Sequence, residues 1–498
     1  MRKRPFPLIT IGTAWAAALA LVPTGTAAAA VRAGGPHGGP YGTTAISGTS
    51  PFTACTADHG FDEIDLSTEV EPWLAVNPRN PRHLVTIWQQ DRRSYGNARG
   101  IIAGVSRDGG RTWRQVTLPG FTQCSGGTHN RSGGPWVSFA PNGDLYAVAS
   151  SFSWPGESAV LVAKSADGGD TWSEPAKVIG DDIAHAWNDK PSITAHPRDP
   201  RQVFAVWNRR VIPTDEHDTM LARSRDGGRT WEEPVSIHRS ERGHQATIGN
   251  QIVVLPDGSL VNVFVENEFP IGGPPLPPAD LPERVRVVRS SDGGRTWSPA
   301  VTISEHELNA PKLPDNGTSP VPQPGIIPDI AVNERTGDLH VVWAEDGLSR
   351  SRSAIGYAAS RDGGRTWTRP RKINQTPDSE PGGNGQAFLP QVDVAGNGTV
   401  AVTYYDFRRN TDAAGTPTDL WMVTCNAGTA CLAGKRPWRE RHLAGSFNME
   451  RATNWDGPYL GGYYALTHSP GWFLSAYVAT TERSDNKQDV FFTRTPAR

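Results

Sequence analysis

Most single features that would place this 498-residue chain in a functional class are scarce. It has four cysteines, at 55, 124, 425 and 431, with no Cys-x-x-Cys pair, and no two histidines stand in a His-x-x-x-His spacing. No metal centre has a ligand pattern to rest on, so no metal and no cofactor are expected. Excess charge is missing too. Lys and Arg total 49 against 51 Asp and Glu, interspersed, for a net charge of −2. That argues against nucleic acid or an anionic membrane surface as partner. Past the N-terminus no apolar run reaches the ~18 residues of a membrane span.

What is present begins with Arg2, Lys3 and Arg4, an apolar run from Leu8 to Val22, and Ala27 to Ala30. This order reads as a secretory signal peptide over residues 1–30, hence a secreted, extracellular protein. Residues 31–60, rich in Gly, Pro, Ser and Thr, read as a flexible linker. In an exported chain four cysteines suggest two disulfides, with three connectivities open. The expectation is a short staple from Cys425 to Cys431 and a second bond from Cys55 to Cys124.

One string dominates the rest. Ser-x-Asp-Gly-Gly-x-Thr-Trp occurs at 106–113, 165–172, 224–231, 290–297 and 360–367, with Asp108, Asp167, Asp226, Asp292 and Asp362 at its centre. A fixed period of about 60 to 70 residues suits a four-stranded sheet used as one blade of a radial array. Asp-Gly-Gly reads as a tight hairpin turn: glycine supplies positive φ, and the Asp, Ser and Thr side chains bond the turn's own backbone. The Trp packs inward, its N–H needing a partner. A turn repeated in five units is scaffold rather than active site.

The string resembles the Asp box, or bacterial neuraminidase repeat, of the sialidase (neuraminidase) superfamily. The resemblance runs from about residue 61 to the end and implies an all-β fold: a β-propeller of four-stranded antiparallel blades over 61–498, with the boxes on the hairpin between third and fourth strands, away from the catalytic face. First strands are expected near Trp73, Trp136, Ser192, Gln251, Ile330, Gln391 and Tyr459, giving seven units, although familiar sialidases have six blades, which stays the alternative. The last unit lacks an outer strand, and Asp62–Ser67 is expected to supply it, closing the ring.

Chemistry is expected where loops into the first strands meet loops joining second to third strands. The former carry Glu71, His129, Arg131, His185, Asp189, Lys190, Asp329, Asp456 and Tyr459; the latter carry Asp91, Arg92, Arg209, Arg210, Glu266, Glu268, Asp406 and Arg408. The resemblance implies a Tyr nucleophile activated by Glu, an Asp proton donor and arginines clamping a sugar carboxylate. Tyr463, in Gly462-Tyr463-Tyr464-Ala465-Leu466-Thr467, resembles the nucleophile's segment, with Glu266 or Glu268 as its partner and Asp91 as proton donor. Arg92, Arg209, Arg210 and Arg408 are the candidate clamp, and Asp189, Lys190, Asp329, Asp406, Asp456 and Tyr459 would line the pocket. The chain departs from the family in four places. Glu71-Pro72-Trp73 stands where Arg-Ile-Pro should, no Asp occurs from Arg93 to Arg99, Asn250 replaces a Glu, and Val265 or Glu266 replaces an Arg.

Three functions follow. The first is an exo-glycosidase of the sialidase type acting on a terminal, possibly anionic sugar of a glycan or polysaccharide. The second is a polysaccharide lyase on a seven-bladed propeller, using His129 or His185 with a tyrosine. The third is a non-catalytic glycan- or protein-binding propeller. A monomer is expected.

Overall fold

A computed structural model describes residues 42–57, 62–240, 245–268, 283–306, 311–314, 319–321, 327–426, 433–435 and 437–497. The expected signal peptide and Cys431 lie outside these residues. Among the described residues, alternation of apolar and polar residues builds seven four-stranded antiparallel units in chain order, each adding its strands outward. Their innermost strands are Ile64–Val76, Arg131–Phe139, Ala186–Ala195, Gln245–Val254, Asp329–Val332, Ala387–Val394 and Ala465–Ser469. Each innermost strand packs against that of the next unit, and that of unit seven against that of unit one, so they ring a central channel. Units one and two are joined edgewise by the single pair Ala98 and Ser132. The fold is an all-β propeller. No helix among the described residues is long and apolar enough to cross a membrane.

An N-terminal strand closes the ring, but from a different segment than expected. Thr43–Ala45 pairs antiparallel with Gln488–Pro496 as the outer strand of unit seven. Asp62–Ser67 is not that strand; from Ile64 it extends the inner strand of unit one. Within the segment expected as a linker, residues 42–57 are tied to units seven and one. Phe52 is buried and lies close over Gly100, where a Cβ would meet its ring at 2.4 Å. Cys55 bonds Cys124 as expected, across 69 residues of sequence. Cys425 is also disulfide-bonded.

The second strands bury Trp88, Trp207 and Trp343 completely. Each ring contributes about 1.5–3 kcal/mol by burial, and each indole N–H finds a polar partner: Gln90 at 3.0 Å, Asn188 at 2.9 Å, and Glu345.

The five boxes lie at the lower end of the units, between third and fourth strands. In the first, Asp108 Oδ1 accepts from the Arg111 and Thr112 amides at 2.9 and 3.0 Å, Oδ2 accepts from Thr112 Oγ1 at 2.7 Å, and Ser106 Oγ accepts from the Gly110 amide at 2.9 Å. The other four repeat this pattern. These donors hold Asp108 and Asp292 below the usual carboxylate range and Asp167, Asp226 and Asp362 at about 2, burial acting the other way wherever it is felt. Trp113, Trp297 and Trp367 donate to the second glycine's carbonyl, whereas Trp172 and Trp231 Nε1 are buried without a partner.

Candidate functional site at the upper mouth of the channel

Five of the seven inner strands are bulged toward their upper ends. The register slips between Val70 and Trp73, Gly133 and Trp136, Asp189 and Ser192, Ile248 and Gln251, and Phe388 and Gln391. Each bulge holds a residue in the left-handed region: Glu71 (φ 55°), Gly134 (60°), Lys190 (47°), Gly249 (70°) and Leu389 (51°). In four of the five a proline follows, in Glu71-Pro72, Gly134-Pro135, Lys190-Pro191 and Leu389-Pro390. A side-chain-bearing residue there stores on the order of 1–3 kcal/mol of strain, and such strain clusters at functional sites.

Two of the strained residues meet. Lys190 of unit three pairs with Glu71 of unit one. Glu71 Oε1 also accepts from Tyr459 Oη at 2.7 Å and from the Gly462 amide at 3.1 Å, while Oε2 accepts from Gln89 Nε2 at 2.5 Å. Glu71 is fully buried. Burial opposes its charge, but Lys190, Arg92 and the Tyr459 hydroxyl prevail and hold it ionised, at about 2. Asp189, its neighbour across Lys190, is pushed the other way, raised chiefly by burial against the pull of Lys190. Tyr459 is raised well above 10 by burial and by Glu71.

Arginines flank this pair. The Arg92 guanidinium lies 4.9 Å from the Tyr459 ring centroid and donates to Gln89 Oε1 at 2.9 Å, its Nε buried without a partner. Arg131, opening unit two, is buried close enough to Arg92 and Arg93 for their charges to lower its own pKa, after burial as the largest cause. One carboxylate lies across this cluster. Asp62 receives Arg93 Nη1 at 2.9 Å and Arg131 Nη1 and Nη2 at 3.1 and 3.2 Å. Arg131 Nε is left buried and unpartnered. Counting Arg92, Arg93, Arg131 and Lys190 against Asp62 and Glu71, the mouth carries surplus positive charge even with Asp189 ionised.

The expected residues divide. Arg92, Asp189, Lys190, Tyr459 and Tyr463 converge here. Tyr463 does not meet Glu266; its hydroxyl donates to the Pro135 carbonyl at 2.7 Å and its ring packs against Trp73 and Trp136. The glutamate beside a tyrosine is Glu71 and the tyrosine is Tyr459. Glu266 is committed to His238 at 2.6 Å and Arg286 at 2.7 Å, and the side chain of Glu268 lies outside the described residues. Asp91 is no proton donor to this centre. It accepts from Ser50 Oγ at 2.7 Å and the Ser67 amide at 2.9 Å, tying the N-terminal segment to unit one.

Three clamp candidates are engaged elsewhere: Arg209 pairs with Asp181 of unit two at 2.7 Å, and within their own units Arg210 pairs with Asp215 at 2.7 Å and Arg408 with Asp406 at 2.5 Å and Glu440 at 2.6 Å. Asp406 is raised to about 6 by burial against Arg408. Asp329 accepts from the Ile330 and Val392 amides at 3.0 and 2.7 Å, joining units five and six, and burial raises it to about 7. Asp456 is exposed at a turn. The lyase histidines sit apart from any tyrosine: His129 bonds Glu157 at 3.1 Å, and His185 is exposed 3.6 Å from Asp182. No group of three or more His, Cys, Asp or Glu among the described residues is placed to hold a metal.

Glu71 and Arg131 stood in the expected loops without a role. The signal that could have singled them out is the proline after each bulge, together with the charge placed before it.

No family model matches the chain. No curated protein matches it either. Among solved structures, it is similar to the Hadza microbial sialidase Hz136, at 16% identity over 82% of this chain and 73% of that one, TM-score 0.46. It is similar to the α-L-arabinofuranosidase Arb93A from Fusarium graminearum, at 14% identity over 69% and 91%, TM-score 0.45. It is also similar to a leech intramolecular trans-sialidase, at 12% identity over 89% and 92%, TM-score 0.43. The propeller rests on the sheet order and the packing of the inner strands, and the chemistry on the residues themselves.

Proposed function

We propose that the protein is an exported glycosidase of the sialidase type that removes a terminal, carboxylate-bearing sugar from a glycan, working as a monomer without metal or cofactor. The observation that carries this reading is the pair Glu71–Tyr459 beside Arg92 and Arg131 at the strained mouth of the channel. Asp62, a carboxylate held by Arg93 and Arg131, illustrates the ligand chemistry those guanidiniums accept. The two central carboxyls are pushed apart in opposite directions, the arrangement that separates base from acid. Asp189 gives its proton to the leaving-group oxygen as the glycosidic C–O bond breaks. Glu71, ionised, hydrogen-bonds the Tyr459 hydroxyl and stabilises positive charge developing on the sugar ring; water then adds to the anomeric carbon and returns a proton to Asp189, releasing the free sugar. The test is release of sugar from aryl α-sialosides and aryl arabinofuranosides. Release abolished in Asp189→Asn and Glu71→Gln supports the reading; release that survives both removes it.

The complete burial of Glu71 favours a second reading, a glycan-binding propeller without turnover. Saturable binding of sialosides with no sugar released over long incubation would select it.

A further inference from the structure

The channel is divided across its width by aromatic rings. Trp73 and Trp136 stack with centroids 3.3 Å apart and Tyr463 packs on both. Above them lies the charged mouth. Below them, opening on the Asp-box side, is a cavity of about 560 Å³ lined by all seven innermost strands, with Trp73 and Trp136 at its inner end. That volume falls within the roughly 300–1,000 Å³ of small-ligand sites.

The walls of this cavity differ in character from the mouth above. His468 Nδ1 pairs with Asp393 Oδ2 at 2.6 Å, and both side chains are only partly buried, so the pair faces the cavity. Among the described residues nothing accepts from His468 Nε2. Thr194 Oγ1 donates to the Ile252 carbonyl at 2.7 Å, which leaves its lone pairs for a donor in the cavity. Glu334 stands exposed at the rim. The imidazolium and carboxylate of the pair cancel, Arg198 offsets Glu334, and Asp329, which also lines the cavity, accepts from the Ile330 and Val392 amides, so donors and acceptors lie over an aromatic floor with little net charge. A pyranose or furanose has the matching chemistry: a C–H face that stacks on indole and a ring of hydroxyls that both donate and accept.

We infer that the lower half of the channel is a second ligand site, taking a neutral monosaccharide or the neutral end of a saccharide chain against Trp73 and Trp136, with Asp393 and His468 as its polar contacts. The site goes beyond the proposed activity and does not depend on it, because the aromatic rings separate it from Glu71 and the arginines.

The experiment uses the whole protein with L-arabinose, D-galactose and N-acetylglucosamine as probes, followed by saturation-transfer NMR and calorimetric titration. One saturable site is expected. Binding weakens about tenfold or more in His468→Ala, disappears in Val253→Trp, which fills the cavity, and is unchanged in Arg131→Ala. In the unmodified protein, saturating sugar slows oxidation of Trp73 mapped by mass spectrometry, a readout that needs no variant. The inference is overturned by absence of saturable binding to all three sugars, by binding that both cavity variants retain, by loss in Arg131→Ala alone, or by unchanged oxidation of Trp73.

Discussion

The lower and upper ends of the units are built on opposite rules. At the lower end five turns repeat one string, glycines take every positive φ, and each Asp is satisfied by its own neighbours. At the upper end positive φ falls on Glu71, Asp91, Lys190 and Leu389, and charges from three different units are pressed together. The repeated end is unstrained and explains the ring. The irregular end carries a cost in local energy that only long-range contacts offset, and those contacts assemble the candidate chemistry.

The largest effect that would break this contrast is expected at Glu71. Glu71→Ala leaves Lys190 buried without its partner and should cost about 3–5 kcal/mol, read by chemical denaturation. Glu71→Gln keeps the shape, and a loss of turnover of about 10²–10⁴-fold should exceed any loss of stability. Next is the disulfide. Closing 69 residues in the unfolded chain, Cys55–Cys124 should contribute about 4 kcal/mol, so Cys55→Ser together with Cys124→Ser lowers the denaturation midpoint by that measure.

Smaller effects belong to titration. The box aspartates have folded pKa values depressed to about 2 in three cases, below the roughly 3.9 of an unfolded chain. Their contribution is complete above pH 4 and is lost as pH falls toward 2, so melting temperature should drop over that window. Asp329 has the opposite sign. Its folded value of about 7 lies above the unfolded one, so stability present below pH 4 is lost as pH rises toward 7, and Asp329→Asn should flatten that decline. The smallest effect is removal of one box aspartate, Asp362→Ala, expected to shift the melting midpoint by about 1–2 °C with activity unchanged.

The scaffold was legible because it repeats. Five boxes and alternating strands announced four-stranded antiparallel units, and the Cys55–Cys124 pairing was also readable. The closing strand was not, because Thr43–Ala45 is three residues in a Gly- and Pro-rich stretch and is defined only by the edge it meets. The site was half legible. Arg92, Asp189, Lys190 and Tyr459 were named on loops that converge at the candidate site, but sequence does not say which loops converge. Arg209, Arg210 and Arg408 occupy equivalent-looking positions and are consumed by Asp181, Asp215 and Asp406 nearby. Glu71 was read as a departure from the arginine of a familiar motif, and its use with Tyr459 depends on a contact across 388 residues.

Chemistry at the strained upper mouth is proposed to act on a carboxylate-bearing sugar. It is tested most directly by kcat/KM for an aryl α-sialoside relative to an aryl arabinofuranoside, in the natural protein and in Arg131→Ala. A preference for the sialoside is expected that falls by roughly 10–100-fold in the variant while the neutral substrate is unaffected. A natural protein that releases neither sugar, or a preference that Arg131→Ala leaves intact, would contradict it.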